Sequence, residues 1–202
     1  WTPQEPVAVP GALNMSEVMV FLRERLPPET IVTCGAGAYI VWVHRFYQFR
    51  GFRTQLGPTS GAMGYGVPSA VAAKLVHPER PVIAFAGDGD FLMNGQELAT
   101  AAQYDAKVIF IVVNNGMFGT IRMHQERHYP GRVSGTALKN PDFAALARAY
   151  GLHGEIVEKT ADFEAAFERA WNAKTAALLE LRVDPDAISP RTTLSAIRAE
   201  AL

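Results

Sequence analysis

Two short polar motifs follow apolar segments of the chain and carry side chains that could bind a metal ion. Asp88 lies in the motif GDGD, directly after residues 81–86 (PVIAFA), and Asn115 lies in the motif NNG, directly after residues 107–113 (KVIFIVV). Apolar runs without polar alternation are typical of parallel strands that are buried on both faces. The chain therefore places a carboxylate and an amide at the ends of two candidate strands.

These residue types favour a metal-bound diphosphate as the ligand. A carboxylate, a side-chain amide oxygen and a backbone carbonyl are three hard oxygen donors, and Mg²⁺ prefers such oxygens, usually completed by phosphates and water. Gly87 and Gly89 allow the backbone to approach a phosphate closely. N–H groups at the start of a helix can receive the negative charge of that phosphate.

Each motif alone also has a simpler explanation, because Asp-Gly and Asn-Gly are common turns of β-hairpins. The context argues against hairpins, since the flanking segments do not alternate and helical patterns follow them. The 24 residues from 90 to 113 are enough for one helix and one strand. Such a crossover returns the chain to the same edge of a parallel sheet, so the two motifs are predicted to lie side by side.

The remaining elements predict an α/β fold with a doubly wound, mostly parallel sheet and helices on both faces. Asp88 is expected to lie in a surface loop, and residues 155–168, with scattered charges, are expected to form a solvated face. Ligands of such sheets bind beyond the carboxyl ends of the strands. The predicted strands are residues 30–33, 81–86, 107–113 and 177–183, and the predicted helices are approximately residues 14–26, 38–46, 67–76, 94–104, 141–150 and 161–173.

The composition excludes several classes of protein. The 19 Lys and Arg residues almost balance the 20 Asp and Glu residues, which gives no electrostatic reason to expect a nucleic acid or a membrane as partner. The sequence has no apolar run of about eighteen residues and no signal-peptide pattern. The single cysteine, Cys34, excludes an intramolecular disulfide and favours a cytoplasmic location.

The chain is predicted to contain one domain with extensions at both ends. We expect residues 1–13 to be a linker from a missing upstream domain, residues 14–184 to be the domain, and residues 185–202 to be a C-terminal tail. The linker prediction is based on three prolines in the first ten residues and on a start without methionine.

The motifs resemble those of thiamine-diphosphate-dependent enzymes, and the similarity extends from about residue 14 to the end. Besides the GDG and NN motifs, it is carried by residues 59–68 (TSGAMGYGVP), 87–94 (GDGDFLMN) and 96–100 (QELAT). The sequence is most similar to the acetolactate-synthase-like group of 2-oxoacid decarboxylases and carboligases. Their subunits usually combine an aminopyrimidine-binding, a middle and a diphosphate-binding domain, and this chain resembles the third.

The resemblance implies two cofactors, thiamine diphosphate and Mg²⁺, and a set of residues that bind them. Asp88, the side chain of Asn115 and the main-chain oxygen of Met117 would be the metal ligands. Further contacts to the cofactor would come mostly from backbone groups, at Gly37, Ala38, Tyr39, Gly87, Gly89, Asp90 and Phe118.

Three more residues would contact the reactive part of the cofactor. Met63 would lie under it as an apolar wedge that enforces a bent conformation, and the Gly61 carbonyl would accept a hydrogen bond from the 4′-amino group. Ile121 would line the reacting side of the thiazolium ring. By residue type alone, Met63 and Ile121 could equally belong to the core.

The sequence departs from the acetolactate-synthase pattern at two places. Where those enzymes commonly have Gly-Gln-His after the first strand, this chain has Gly37-Ala38-Tyr39. Polar contacts to the diphosphate there must therefore come from the backbone or from Tyr39. Where those enzymes have a tryptophan after the Asn-Asn motif, this chain has His124, which together with His128 also has the spacing of a zinc site on a helix, although a solvated helix is the preferred interpretation.

The resemblance implies one domain of an enzyme that decarboxylates or ligates a 2-oxoacid, within a homo-oligomer. No catalytic residue is assigned to this chain, because the glutamate that protonates the aminopyrimidine ring lies in the aminopyrimidine-binding domain of the same or a partner chain. The chain alone is therefore expected to be inactive. Two alternatives stay open: a small subunit of a split thiamine-diphosphate decarboxylase, and a non-catalytic phosphate-binding α/β module.

Overall fold

The computed structural model describes residues 4–202, which form a six-stranded parallel sheet in the strand order β2-β1-β3-β4-β6-β5. The strands are β1 (Ile31–Cys34), β2 (Gln55–Leu56), β3 (Val82–Gly87), β4 (Ile109–Asn114), β5 (His153–Val157) and β6 (Ala177–Arg182). The helices are α1 (Met15–Arg25), α2 (Ile40–Phe46), α3 (Gly66–Val76), α4 (Asp88–Asn94), α5 (Leu98–Gln103), α6 (Gly119–His128), α7 (Phe143–Ala149), α8 (Thr160–Asn172) and α9 (Leu194–Glu200), with a 3₁₀ turn at Gly95–Glu97.

Helices cover both faces of the sheet, because the central strands are apolar on both sides. In β4, Ile109 and Ile111 pack into one hydrophobic cluster together with residues of α1, α2 and α8. Phe110 and Val112 point to the opposite face and pack against residues of α3, α5 and α7. Since successive side chains of a strand alternate between faces, the continuous apolar run in the sequence is what a doubly covered strand requires. The predicted fold class is confirmed.

The two edge strands were not predicted from the sequence. β2 has only two residues, and β5 contains His153, Gly154 and Glu155, which hide its strand character. The prediction that residues 155–168 form a solvated face is wrong for this strand, which pairs with β6 along its whole length. A polar composition is common on edge strands because it discourages pairing with another chain.

Both predicted extensions contact the domain. Within residues 4–13, the part of the predicted linker that the structure describes, Leu13 is buried and Val7 packs against the same cluster as α1. The predicted tail contains α9, whose Leu194 and Ile197 form a small cluster with Ile188 and Met117. The first three residues of the predicted linker lie outside the described residues.

Candidate functional site

A cavity opens at the carboxyl ends of the strands, where the order of the sheet reverses. From β1 the chain moves outward to β2 and then returns to the other side of β1 with β3. Such a reversal leaves a crevice between neighbouring loops, and this crevice is the usual ligand site of doubly wound sheets. The cavity is lined by segments that follow β1, β3, β4 and β6.

Twelve of the thirteen predicted cofactor-binding residues line this cavity: Gly37, Ala38, Tyr39, Met63, Gly87, Asp88, Gly89, Asp90, Asn115, Met117, Phe118 and Ile121. The exception is Gly61, which is exposed in the loop before α3 and adopts a positive φ of 65°. Eight further residues line the cavity without having been predicted for the site: Ala36, Trp42, Val113, Gly119, Thr120, Val183, Ala187 and Ile188.

The prediction that Asp88 lies in a surface loop is wrong. Asp88 is the first residue of α4 and only 2% exposed. Its Oδ1 accepts from the N–H of Gly89 at 2.9 Å, and its Oδ2 accepts from the N–H of Gly116 at 2.8 Å and from Asn140 Nδ2 at 2.7 Å. Burial raises the pKa of Asp88, and the N–H donors offset part of this rise.

Because Asp88 begins α4, the helical region predicted at residues 94–104 begins earlier than expected, and it is interrupted by the 3₁₀ turn.

The NNG motif forms a tight turn that brings Asn115 beside Asp88. Gly116 has a φ of 71°, in the left-handed region that favours glycine, and its N–H reaches Asp88 Oδ2. Asn115 Oδ1 accepts from the N–H of Met117 at 3.2 Å. The two motifs therefore lie next to each other, as predicted from the crossover between their strands.

The donor set fits a hard divalent cation. Among residues 4–202, no lysine, arginine or histidine forms an ion pair with Asp88, so its buried carboxylate has hydrogen bonds but no counter-charge. A buried carboxylate is unfavourable unless a cation or good hydrogen bonds compensate it. Among the described residues, no group of three or more His, Cys, Asp or Glu side chains is placed to hold a metal ion, and His124 and His128 are exposed on α6. At Asp88 a metal would therefore also need amide and carbonyl oxygens, and such a donor set suits Mg²⁺.

The start of α6 provides N–H groups for an anion beside this donor set. Phe118 is the N-cap residue of this ten-residue helix, and no side chain caps it. The first N–H groups of a helix have no partner within the helix, so an uncapped N-terminus facing a cavity can bind a phosphate group. Phe118, Gly119 and Thr120 all line the cavity.

A buried pair, Tyr39 and Asp90, joins three segments around the cavity. The Tyr39 hydroxyl donates to Asp90 Oδ2 at 2.6 Å and accepts from the N–H of Gly35 at 2.8 Å, while Asp90 Oδ1 accepts from the N–H of Gly64 at 2.5 Å. Burial raises the pKa of both side chains. Because the Tyr39 hydroxyl is already bonded, polar contacts from residues 37–39 to a diphosphate fall to the backbone.

The alternative interpretation, that Met63 and Ile121 belong to the core, does not hold in the structure. Met63 is half-buried, Ile121 is 51% exposed, and both line the cavity. Cys34, by contrast, lies at the buried end of β1, and burial raises the pKa of its thiol to about 11. This thiol is therefore neutral at physiological pH and unsuited to nucleophilic chemistry.

Sequence reasoning missed two polar residues next to the site. Asn140 contacts Asp88 from the loop before α7, and Glu180 lies fully buried on β6, where it accepts from Asn114 Nδ2 at 2.9 Å. An asparagine in a loop and a glutamate inside an apolar strand pattern give no signal of such a contact. Only the strand order, which places β6 beside β4, brings them together.

The fold and the site define a doubly wound α/β domain with a cavity at its switch point that is lined by Asp88, Asn115 and the start of α6. Residues 35–181 match the family model described as thiamine pyrophosphate enzyme, C-terminal TPP binding domain. The chain belongs to this family.

Curated relatives and solved structures agree with the assignment. The acetolactate synthase large subunit of Parasynechococcus marenigrum (strain WH8102) is 38% identical over 161 residues, which cover 76% of this chain and 26% of the relative. The acetolactate synthase isozyme 2 large subunit of Escherichia coli (strain K12) is 33% identical over 167 residues, which cover 81% and 30%. The thiamine diphosphate-dependent 4-hydroxybenzoylformate decarboxylase of Rhodococcus jostii RHA1 superposes with a TM-score of 0.83 at 30% identity, over 91% of this chain and 35% of that one. The chain thus spans about a third or less of the length of these proteins.

Proposed function

We propose that this chain is the thiamine-diphosphate- and Mg²⁺-binding domain of an enzyme that decarboxylates or ligates a 2-oxoacid. The observation that carries the proposal is the convergence of Asp88, Asn115 and the uncapped start of α6 on one cavity. A carboxylate and an amide suit the metal, and the free N–H groups suit the diphosphate. A module that merely binds phosphate would have no use for Met63 at the same cavity.

In this proposal Asp88, the Asn115 side chain and the main-chain oxygen of Met117 bind the metal. The buried position of Asp88 and the three N–H groups that it accepts hold its carboxylate in one orientation. A fixed ligand suits Mg²⁺, which demands near-ideal octahedral geometry. Backbone around Gly89, Asp90 and Phe118 would hold the diphosphate. Because the N–H groups of Gly89 and Phe118 already donate to Asp88 Oδ1 and to the Thr136 carbonyl, the donors left without a partner within the helix are those of Gly119 and Thr120.

Met63 and the Gly61 carbonyl would orient the aminopyrimidine end, and Ile121 would line the reacting side. Met63 precedes Gly64, whose N–H donates to Asp90 at the start of α4, so the position of the wedge is fixed relative to this helix. When bound, thiamine diphosphate supplies a nucleophilic carbon and an electron sink, and the protein supplies binding and orientation.

We propose a 2-oxoacid as the donor substrate. Two relatives are named as acetolactate synthase subunits, and a structural neighbour is named as a decarboxylase of 4-hydroxybenzoylformate. Ligation and decarboxylation both fit a site that provides orientation and leaves the electronic chemistry to the cofactor. His124, which stands where acetolactate synthases carry tryptophan, is the residue of α6 to examine for substrate choice.

We further propose that the aminopyrimidine-binding domain of the same chain or of a partner chain covers the open side of the cavity, within a homo-oligomer. Ile121 is exposed at the cavity, and three large side chains on or beside α4 and the loop before α3 are also more than a third exposed: Tyr65, Leu92 and Met93. Met93 lies close to Gly64, so this apolar surface continues from the loop of Met63 to α4. Exposed apolar patches of this kind often mark interaction surfaces.

A cytoplasmic location stays a prediction, made from the single unpaired cysteine. Among residues 4–202, no helix combines the length and the apolar character that a bilayer crossing requires. Among the described residues, Cys34 is a free and buried thiol.

The proposal is tested by measuring Mg²⁺-dependent binding of thiamine diphosphate. Asp88→Asn is a better variant than Asp88→Ala, because alanine would leave Gly116 N–H and Asn140 Nδ2 without their acceptor. We expect Asp88→Asn to weaken Mg²⁺-dependent binding by more than about tenfold in calorimetry, since a neutral amide replaces the charged ligand. Asp162→Asn, an exposed change on α8, serves as the control. Equal affinity of wild type and Asp88→Asn would contradict the metal assignment.

A further inference from the structure

We propose that Asn140 is a positioning residue for the metal site, which holds the Asp88 carboxylate in the orientation that binds Mg²⁺. The inference rests on the proposed function. Asn140 lies outside the two motifs, in the loop between the Met117–Ala137 bridge and α7. Its Nδ2 donates to Asp88 Oδ2 at 2.7 Å and to Asn114 Oδ1 at 2.9 Å.

The orientation of the Asn140 amide is fixed by a chain of buried hydrogen bonds that starts on β6. Glu180 is fully buried, and as a carboxylate it only accepts, so the Nδ2 of Asn114 must face it. Asn114 then presents its Oδ1 to Asn140, which must in turn present its own Nδ2. The atom of Asn140 that faces Asp88 is therefore its donor, Nδ2, and not its acceptor, Oδ1.

The far end of this chain is anchored in the sheet and in α7. Glu180 Oε2 accepts from the N–H of Phe143 at 2.9 Å, and Glu180 Oε1 accepts from Arg182 Nε at 2.9 Å. Phe143 is the first residue of α7 and is itself buried. Because these groups belong to packed elements, the position of the Asn140 amide is set by the sheet and by α7.

Of the two polar atoms in the Asn140 side chain, only the nitrogen forms hydrogen bonds among the described residues. Its Oδ1 is buried and has no hydrogen-bond partner among the described residues. An unpaired buried acceptor is unfavourable, so a residue that served only the fold would be better replaced by an apolar side chain of similar shape. The benefit of asparagine at this position must therefore come from its donor, which is shared between Asp88 and Asn114, with the shorter bond to Asp88.

Groups that orient a metal ligand from behind change metal affinity when they are removed, commonly by about 10- to 100-fold. We expect this result for Asn140→Leu, which keeps the approximate shape and removes both the donor and the unpaired oxygen. Asn140→Ala tests the same loss without adding apolar volume. Asn172→Ala is the matched control, because the exposed Asn172 side chain bonds, among residues 4–202, to the Glu168 carbonyl at the end of α8.

The experiment measures, by calorimetry on the 202-residue chain, the Mg²⁺ concentration that half-saturates binding at a fixed high concentration of thiamine diphosphate. Thermal melts without cofactor are recorded in parallel. We expect a 10- to 100-fold higher Mg²⁺ requirement for both Asn140 variants, a melting temperature within a few degrees of wild type, and no change for Asn172→Ala.

An unchanged Mg²⁺ requirement in the Asn140 variants would overturn the inference alone. Variants that fail to fold would also overturn it, because Asn140 would then be a structural residue. If the wild-type chain shows no Mg²⁺-dependent binding at all, the proposed function fails first, and the role of Asn140 fails with it.

Discussion

Asp88 combines two properties that its sequence motif does not reveal. Its carboxylate is almost completely buried, and among residues 4–202 it accepts from N–H groups but forms no ion pair. In such an environment a divalent cation is the largest local charge and favours the ionised carboxylate, against the effect of burial. The GDG motif identifies the residue, but only the fold explains why its carboxylate is suited to a metal.

Met63→Ala is expected to change the rate of the full-length enzyme far more than the stability of the domain. Met63 is half-buried and lines the cavity, so its truncation removes few core contacts. Met19 is fully buried in α1, and Met19→Ala is the matched control, with an expected loss of about 2 to 5 kcal/mol in unfolding free energy. Denaturant unfolding and a rate assay on both variants make the comparison.

If Met63→Ala instead lost as much stability as Met19→Ala, Met63 would be a core residue. Its role as a wedge under the cofactor would then be wrong. A stable variant with an unchanged rate would also contradict the wedge.

Between elements, a buried ion cluster connects α9 to α6. Glu126 on α6 is 1% exposed and accepts from Arg122 Nε, from the N–H of Gly131 and, at 2.7 and 2.8 Å, from both Nη2 and Nε of Arg198 on α9. The bonds from Arg198, followed by the other donors, lower the pKa of Glu126 from 4.5 to about 2. The C-terminal helix is thus held against the helix that begins at the cavity.

The pKa of Glu126 predicts how stability depends on pH. A carboxyl group with a lower pKa in the folded state stabilises fully above its unfolded pKa, and this contribution is lost as the pH falls through the folded value. We expect the melting temperature of wild type to exceed that of Glu126→Gln by several degrees at pH 6, and the difference to shrink between about pH 4.5 and 2. Glu24→Gln, a change at an exposed carboxylate that pairs with Arg23, should show little effect at any pH. A difference between wild type and Glu126→Gln that does not vary with pH would contradict the role of this cluster.

The elements that could be predicted from the sequence are those whose patterns are set by burial. β3 and β4 are continuous apolar runs up to their last residue, and β6 is mostly apolar apart from Glu180 and Arg182. Each was located within two residues, because mostly apolar segments occur where both faces of a strand are covered. β2 and β5 were missed because edge strands are short or polar. The start of α4 was placed too late, since Asp88 and the two flanking glycines have the composition of a loop.

The candidate site could be predicted as far as the motifs determine it. Asp88, Asn115 and the residues around them follow strand ends, and the topology of parallel sheets brings such ends together. Asn140 and Glu180 could not be predicted, because their contacts depend on β6 lying beside β4 and not on any local pattern. The choice between the backbone and the Tyr39 side chain as the source of polar contacts could not be made from the sequence for a related reason, since the hydroxyl of Tyr39 is bonded to Asp90, 51 positions away.

As a whole molecule, the domain offers only one wall of the proposed cofactor site. Met63 and Ile121 line the cavity yet remain partly exposed, and Gly61 lies in the exposed loop beside them. The chain also spans about a third or less of the length of its relatives. These facts support the proposal that a second domain completes the pocket around the aminopyrimidine ring.

The chain alone is therefore expected to release no CO₂ from any 2-oxoacid, even with saturating Mg²⁺ and thiamine diphosphate. The resemblance implies that activation of the cofactor requires a glutamate beside the aminopyrimidine, and among the described residues no glutamate lines the cavity. Glu97 bonds to Thr100, and Glu126 is neutralised by two arginines, so neither is free for this role. Affinity for the cofactor should also be low if, as proposed, the aminopyrimidine side of the pocket is completed by another domain.

A coupled assay for CO₂, run with several aliphatic and aromatic 2-oxoacids, tests this expectation. A full-length thiamine-diphosphate decarboxylase serves as the positive control, and Asp88→Asn serves as the background, because any genuine turnover must depend on the metal. Steady, metal-dependent release by the wild-type chain would overturn the expectation of inactivity. It would favour a small subunit of a split decarboxylase, in which a side chain other than glutamate activates the cofactor, and the Tyr39–Asp90 pair at the cavity would then be the first to substitute.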